Sequence, residues 1–319
     1  MTVCVGTLFQ WNYSSVGQPE NWVTSGIVAM DRMLTAGDVQ YEPAKLKLAQ
    51  MTNSVIALVA GDYPLHSQTI IDARKLVQHS TDKSPENVAR LYGKAIQRIK
   101  QREAEDVYLS PLGMNSDTFI AQQKEMSDAF IDRITNQLQS YQGEDVETLV
   151  IGSDGERVHL YLVDSKGIAH CMNDVGFAAI GIGAWHAKSR LMQMGYANTT
   201  NFAPALAATY AAKKSAEVAP GVGKQNTDIW LVFKDAVFPL WEDVAGPLQT
   251  LYEQYDKDRD DLVRKAVEQL QEIINESGKK QRQGTGQPSG DAPPNESASQ
   301  STAETSQRHE TGPKVEDGT

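Results

Sequence analysis

The sequence predicts an α+β protein in which two β-sheets stack face to face and helices cover their outer faces. Three observations predict it. Short apolar runs such as Ile27-Val28-Ala29-Met30 have the length and residue types of buried strands. Longer segments repeat apolar residues every three or four positions, the period of a helix. The elements also come in groups of strands and groups of helices, which argues against βαβ units and a parallel sheet. The same pattern fits an ordinary two-layer α+β fold, and periodicity does not choose between them. With 319 residues, 40% of them apolar, the chain can build a sizeable core in one or two domains.

Val3, Val5 and Thr7 alternate with Cys4, Gly6 and Leu8 and open the chain as a strand. A polar stretch over 12–25, with Gly17 and Pro19, separates it from a second strand at 27–30. The run 53–61 reads as a strand that ends on Gly61. After Pro64, the spacing of Leu65, Ile70, Ala73, Leu76 and Val77 predicts a helix. Ser84 with Pro85 and Glu86 is an N-cap signature for the next helix, whose apolar face is Val88, Leu91, Ala95 and Ile99. A further helix over 117–139 places Phe119, Met126, Phe130, Ile134 and Leu138 inward. Strands return at 148–151, 158–163 and 168–172, joined by turns at Asp154-Gly155 and Ser165-Lys166-Gly167. Helices are predicted over 184–194 and 204–218, a strand over 228–233, and a charged helix over 244–274. Residues 276–319 lack apolar anchors and read as a disordered tail. The expected organisation is a domain over 1–238, a helical extension over 239–275 and the tail over 276–319.

Thirty basic residues against 41 acidic ones leave a net charge of −11. That balance argues against a general nucleic-acid binder. Two cysteines make no disulfide framework and point to a reducing compartment. No apolar run reaches the length of a membrane span, and the start lacks the pattern of a signal peptide. A cytoplasmic protein without membrane or nucleic-acid partners is expected. Phosphate-loop, serine-elbow, zinc-helix and paired-cysteine motifs are absent, so neither metal nor cofactor is implied. His170-Cys171, Gly181-Ile182-Gly183 and the acidic run from Asp256 to Asp261 are best explained as a strand end, a tight turn and a solvated helix face.

Four local features follow one another in chain order. Thr2 follows Met1, and aminopeptidases remove an initiator Met before a small residue. Asp31-Arg32 follows an apolar strand, Lys47 lies in Lys45-Leu46-Lys47-Leu48, and Ala60-Gly61-Asp62 closes another strand. In this order and at these spacings the chain resembles a divergent, bacterial-type member of the proteasome β-type subunit family, within the N-terminal-nucleophile hydrolases. Ile180-Gly181-Ile182-Gly183-Ala184 is similar to that family's Gly-Ser-Gly turn, and the segments Ala211 to Glu217 and Asp228 to Val232 to its later helix and strand. The resemblance covers 2–234 and implies a four-layer αββα sandwich, with the helix at 244–274 as an addition.

It also implies roles. Thr2 would be the nucleophile and its freed α-amino group the base, since an amine of pKa about 7.7–8.0 is close to working pH. Lys47 would favour the deprotonated hydroxyl and amine, Asp31 would hold Lys47, and the Gly61 N–H would stabilise the oxyanion. Thr2 is expected to be exposed in a cleft. Gly181, Gly183 and Glu217 are possible supporting residues; Ile182 stands where the family has serine, and Glu217 is the nearest acid to the family's Asp-x-x-Ser. The implied activity is a threonine-type peptidase acting on peptides or unfolded protein, in a homo-oligomeric ring, with or without an ATPase unfoldase. The alternatives are an amidohydrolase acting on a small amide and an inert ring-forming subunit.

Overall fold

The computed structural model describes residues 2–14, 19–36, 39–41 and 47–284. Its elements are β1 (Cys4–Asn12), β2 (Trp22–Met30), β3 (Leu34–Ala36), β4 (Val39–Tyr41), β5 (Leu48–Gln50), β6 (Val55–Gly61), α1 (Tyr63–His79), α2 (Pro85–Tyr108), α3 (Ser116–Gln122), α4 (Asp128–Ser140), β7 (Val146–Ser153), β8 (Val158–Val163), β9 (Ala169–Cys171), β10 (Phe177–Ile180), α5 (Ala184–Gln193), α6 (Phe202–Ala216), β11 (Asp228–Val232), β12 (Val237–Pro239) and α7 (Glu242–Gly284). The class is α+β. Two five-stranded antiparallel sheets run in the orders β10-β1-β2-β11-β12 and β5-β6-β7-β8-β9, and β3 pairs with β4.

The apolar runs are continuous because both faces of the central strands are covered. Alternate residues point to opposite sides of a strand. Cys4, Leu8, Val28 and Met30 of the first sheet share one core with Ile56, Leu58, Leu149 and Leu160 of the second. Their neighbours face the other way. Val3, Val5 and Ala179 pack on α5 and α6 through Ala187, Leu191, Ala208 and Ala212. Ala57, Val59 and Val150 pack on α1 and α2 through Ala73, Val88, Tyr92 and Ile96. Burying side chains of this size contributes about 1.5–3 kcal/mol each before the cost of ordering them.

Capping residues set the helix starts. Asp62 Oδ1 accepts the Leu65 N–H at 2.8 Å to open α1, with Pro64 in its first turn. Ser84 caps α2 through the Asn87 N–H, and Asn115 forms a capping box with Thr118 at α3.

Several boundaries differ from the expectation. The helix predicted over 117–139 is two helices, because Met126 is extended and Ser127 opens a new start before Asp128. Its predicted apolar set still packs together, around Leu109, Phe119 and Ile134. The two ends of the polar stretch are strand: β1 and β2 stay paired out to Asn12 and Trp22. The final helix begins at Glu242 and continues to Gly284, past the boundary drawn at 276. Contacts divide the chain into two compact units, Met1–Lys257 and Asp258–Thr319. In the second, the described residues are helical and expose Leu262, Leu270 and Ile273. Residues 285–319 of the expected tail lie outside the described residues. Among the described residues, no helix is long and apolar enough to cross a membrane.

Candidate functional site

Three chain segments meet at the end of the first sheet. Thr2 precedes β1, Asp31 follows β2, and Lys47 precedes β5. The pairing of Cys4 with Met30 in adjacent strands brings the residues on either side of them together, so Thr2 and Asp31 come into contact. Thr2 Oγ1 donates to Asp31 Oδ1 and accepts from Lys47 Nζ. Lys47 Nζ also donates to Asp31 Oδ1 at 3.1 Å. All three are enclosed: Thr2 is 3% exposed, Asp31 0% and Lys47 6%. Thr2 is thus more enclosed than expected, because Gly181 and Gly183 close over its backbone. The Gly183 N–H donates to Thr2 O at 3.4 Å, and a Cβ on Gly181 would lie 2.3 Å from that oxygen.

A buried carboxylate is costly unless its oxygens are bonded. Asp31 meets that demand fully. Oδ1 accepts the Val3 N–H at 3.0 Å besides Thr2 and Lys47, and Oδ2 accepts the N–H groups of Met33 at 3.2 Å and Gly223 at 2.8 Å. The carboxylate therefore knits together the start of β1, the end of β2 and the loop after α6. It is a rigid anchor for Lys47 and Thr2.

Thr2 opens onto a cleft of about 780 Å³, also lined by Gly61, Gly181 and Ile182. Gly61 ends β6 with φ +123°, and a Cβ there would meet Asp145 O at 2.2 Å. Only glycine suits both that backbone and that approach. Gly181 has φ +85°, and its N–H donates to Glu147 Oε2 at 3.0 Å. That bond and the Gly183 contact engage the two N–H groups a phosphate would need at the start of α5. Ile182 is 46% exposed at the rim.

Burial decides the ionisation of two neighbours. It pushes the Cys4 thiol up to about 12, so this sulfur is neutral and unreactive despite its place beside Lys47. Burial also lowers His66 to about 4, against the support of the Ala60 carbonyl. Because a carbonyl only accepts, His66 Nε2 carries the proton and donates to Ala60 O at 2.8 Å. This neutral imidazole pins the end of β6 beside Gly61.

No protein-family model matches this chain, and no curated protein matches it.

The structure brings Thr2, Asp31 and Lys47 into one hydrogen-bonded unit and sets Gly61, Gly181 and Gly183 around it. Glu217 has no bond to that unit. It pairs with Lys213 at 2.6 Å and Lys214 at 2.8 Å. Sequence reasoning missed Lys213, which is 0% exposed and donates to Glu217 Oε1, Gly223 O and Asn226 O. A signal existed: Lys213 falls four residues after Thr209, on the buried Ala205-Thr209-Ala212-Ala216 face of α6. The remaining motifs are structural. His170 Nε2 lies 3.1 Å from Asp164, the described side chains from Asp256 to Asp261 sit on α7, and among the described residues no group of three or more ligands could hold a metal.

Proposed function

We propose that the chain is a threonine-type peptidase of the proteasome kind, built on a four-layer αββα sandwich. The observation that carries this reading is the Thr2 hydroxyl, bonded to both Lys47 and Asp31 at the floor of a cleft. Two sheets sharing one core, with helices packed on the other face of each, support the architecture.

In this reading Met1 is removed and Thr2 gains a free α-amino group. The amine takes the hydroxyl proton, directly or through water, as Oγ1 attacks the substrate carbonyl carbon. Lys47 lowers the energy of the alkoxide that develops at Oγ1, and Asp31 keeps Lys47 in place. The negative charge moves to the carbonyl oxygen, where the Gly61 N–H is assigned as donor by the resemblance. Collapse breaks the C–N bond. The leaving amine takes the proton from the α-ammonium and an ester remains on Thr2. Water, deprotonated by the same amine, then cleaves the ester and restores the hydroxyl. No histidine takes part, in keeping with the dispersed histidines.

Mass spectrometry of the natural N-terminus, combined with peptide hydrolysis by the natural chain and Thr2→Ala, tests the reading. A chain beginning at Thr2 whose activity disappears in Thr2→Ala is the expected result. Turnover unchanged in Thr2→Ala would remove it. An inert ring subunit is the second reading, favoured by the apolar Ile182 in place of serine; that reading expects Met1 to be retained.

A further inference from the structure

The cleft is marked as a site by Thr2, which lines it and whose hydroxyl accepts from the buried Lys47, whatever the charge of its walls. Those walls are acidic. Asp62, Glu144, Asp145 and Glu147 line it; Asp62 attracts the neutral His66 only weakly, and none of the four forms an ion pair with a described Lys or Arg. Asp31, Asp228, Asp164 and Glu217, by contrast, each face a cationic or titratable partner. Glu147 is held in place by the Gly181 N–H and Asp62 by its bond to the Leu65 N–H. Glu144 and Asp145 are exposed, with no side-chain bond to occupy them.

From this lining we infer that the cleft selects substrates carrying a cationic side chain, Lys or Arg, beside the bond to be cut. The inference rests on the peptidase reading for the cutting and on the wall itself for the preference. A concave surface with charges of one sign focuses their field and raises the local concentration of the opposite charge. A guanidinium or ammonium entering here meets up to four carboxylates. An acidic side chain meets repulsion from all four, which excludes it as effectively as the attraction recruits its opposite. Glu144 and Asp145 are the specificity residues, because their oxygens have no competing partner.

The test compares short fluorogenic peptides with Arg, Leu or Glu before the reporter, cut by the natural chain and by the double variant Glu144→Gln with Asp145→Asn. Both positions are exposed, so the double variant keeps its fold. The Arg peptide is expected to have the highest kcat/KM, the Glu peptide the lowest. The double variant should lower the Arg-to-Leu ratio by about fivefold or more, and 0.5 M salt should compress it in the natural chain. A preference for Leu or Glu, or a ratio that the double variant leaves unmoved, overturns the inference while Thr2-dependent cutting would still stand. A second measurement needs no catalysis: fluorescence anisotropy of labelled Arg and Glu peptides with Thr2→Ala. Tighter binding of the Arg peptide, lost when Glu144→Gln and Asp145→Asn are added to Thr2→Ala, upholds the preference even if the natural chain cuts nothing and the peptidase reading fails. Equal binding of the two peptides overturns it.

Discussion

Asp31 receives bonds from five groups, and that number explains what each nearby substitution should do. Asp31→Asn leaves the Lys47 ammonium buried without a counter-charge, which costs about 3–5 kcal/mol of stability by urea unfolding. Lys47→Ala strands the carboxylate in the same way. Each should lower peptide hydrolysis by orders of magnitude, and the two losses should be strongly non-additive because both act through one hydroxyl. Fully additive losses would show that they do not work as a unit. Thr2→Ala removes two hydrogen bonds but leaves the Lys47–Asp31 pair at 3.1 Å, so it should abolish hydrolysis for only about 1–2 kcal/mol of stability. Lys213 extends the same logic outward. Its ammonium ties the loop after α6 at Gly223 O and Asn226 O, and that loop returns the Gly223 N–H to Asp31. Lys213→Met should therefore lose about 3 kcal/mol and reduce kcat more than KM, measured by urea unfolding and steady-state hydrolysis. An unchanged kcat would confine Lys213 to stability.

Between elements, the join of α1 to β6 is pH-sensitive. His66 sits on α1 and bonds Ala60 at the end of β6. Its pKa is about 4 when folded, against an ordinary value near 6.5. Between these values the unfolded chain binds a proton that the folded chain refuses. Stability from this residue is complete above pH 6.5 and falls as pH drops towards 4, by about 3 kcal/mol at most. His66→Gln should remove that slope: urea midpoints of the two proteins should converge between pH 6.5 and 4, and a constant offset would refute the assignment. The same scale shows where local sequence signals are reliable. Asp62, Ser84 and Asn115 cap their helices with side chains a few residues away, so their signals survive folding. The interruption between α3 and α4 was hidden because Phe119, Met126, Phe130 and Ile134 keep near-helical spacing across it.

At the scale of the whole molecule, the peptidase reading requires enclosure, since a free peptidase that cuts beside residues as common as Lys and Arg would damage its surroundings. Exposed apolar side chains are consistent with association: Trp185 and Met192 on α5, and Val107 and Ile120 on α2 and α3. Size-exclusion chromatography with light scattering should give the mass of a homo-oligomeric particle at micromolar concentration. A monomeric mass would remove the compartment while leaving Thr2 chemistry possible in a small amidohydrolase.

The sequence by itself determined the α+β class and most of the long elements; it pointed to Thr2, Asp31 and Lys47 only through the family resemblance. The class and the elements are written locally, in the alternation of apolar residues and in capping side chains. Only the tertiary structure decided that Gly223 and, through it, Lys213 serve Asp31, and that Asp62, Glu144, Asp145 and Glu147 wall one cleft. It also decided the short strands β3, β4, β10 and β12, whose three or four residues are too few to display a period and exist through their partners. The physical reason is common to all of these. Asp31 and Gly223 are 192 residues apart in the chain and meet because β2 pairs with β11, and Gly61 meets the segment at 143–147 because β6 pairs with β7. Hydrogen bonding between distant strands sets such neighbours, and no local run of residues records it.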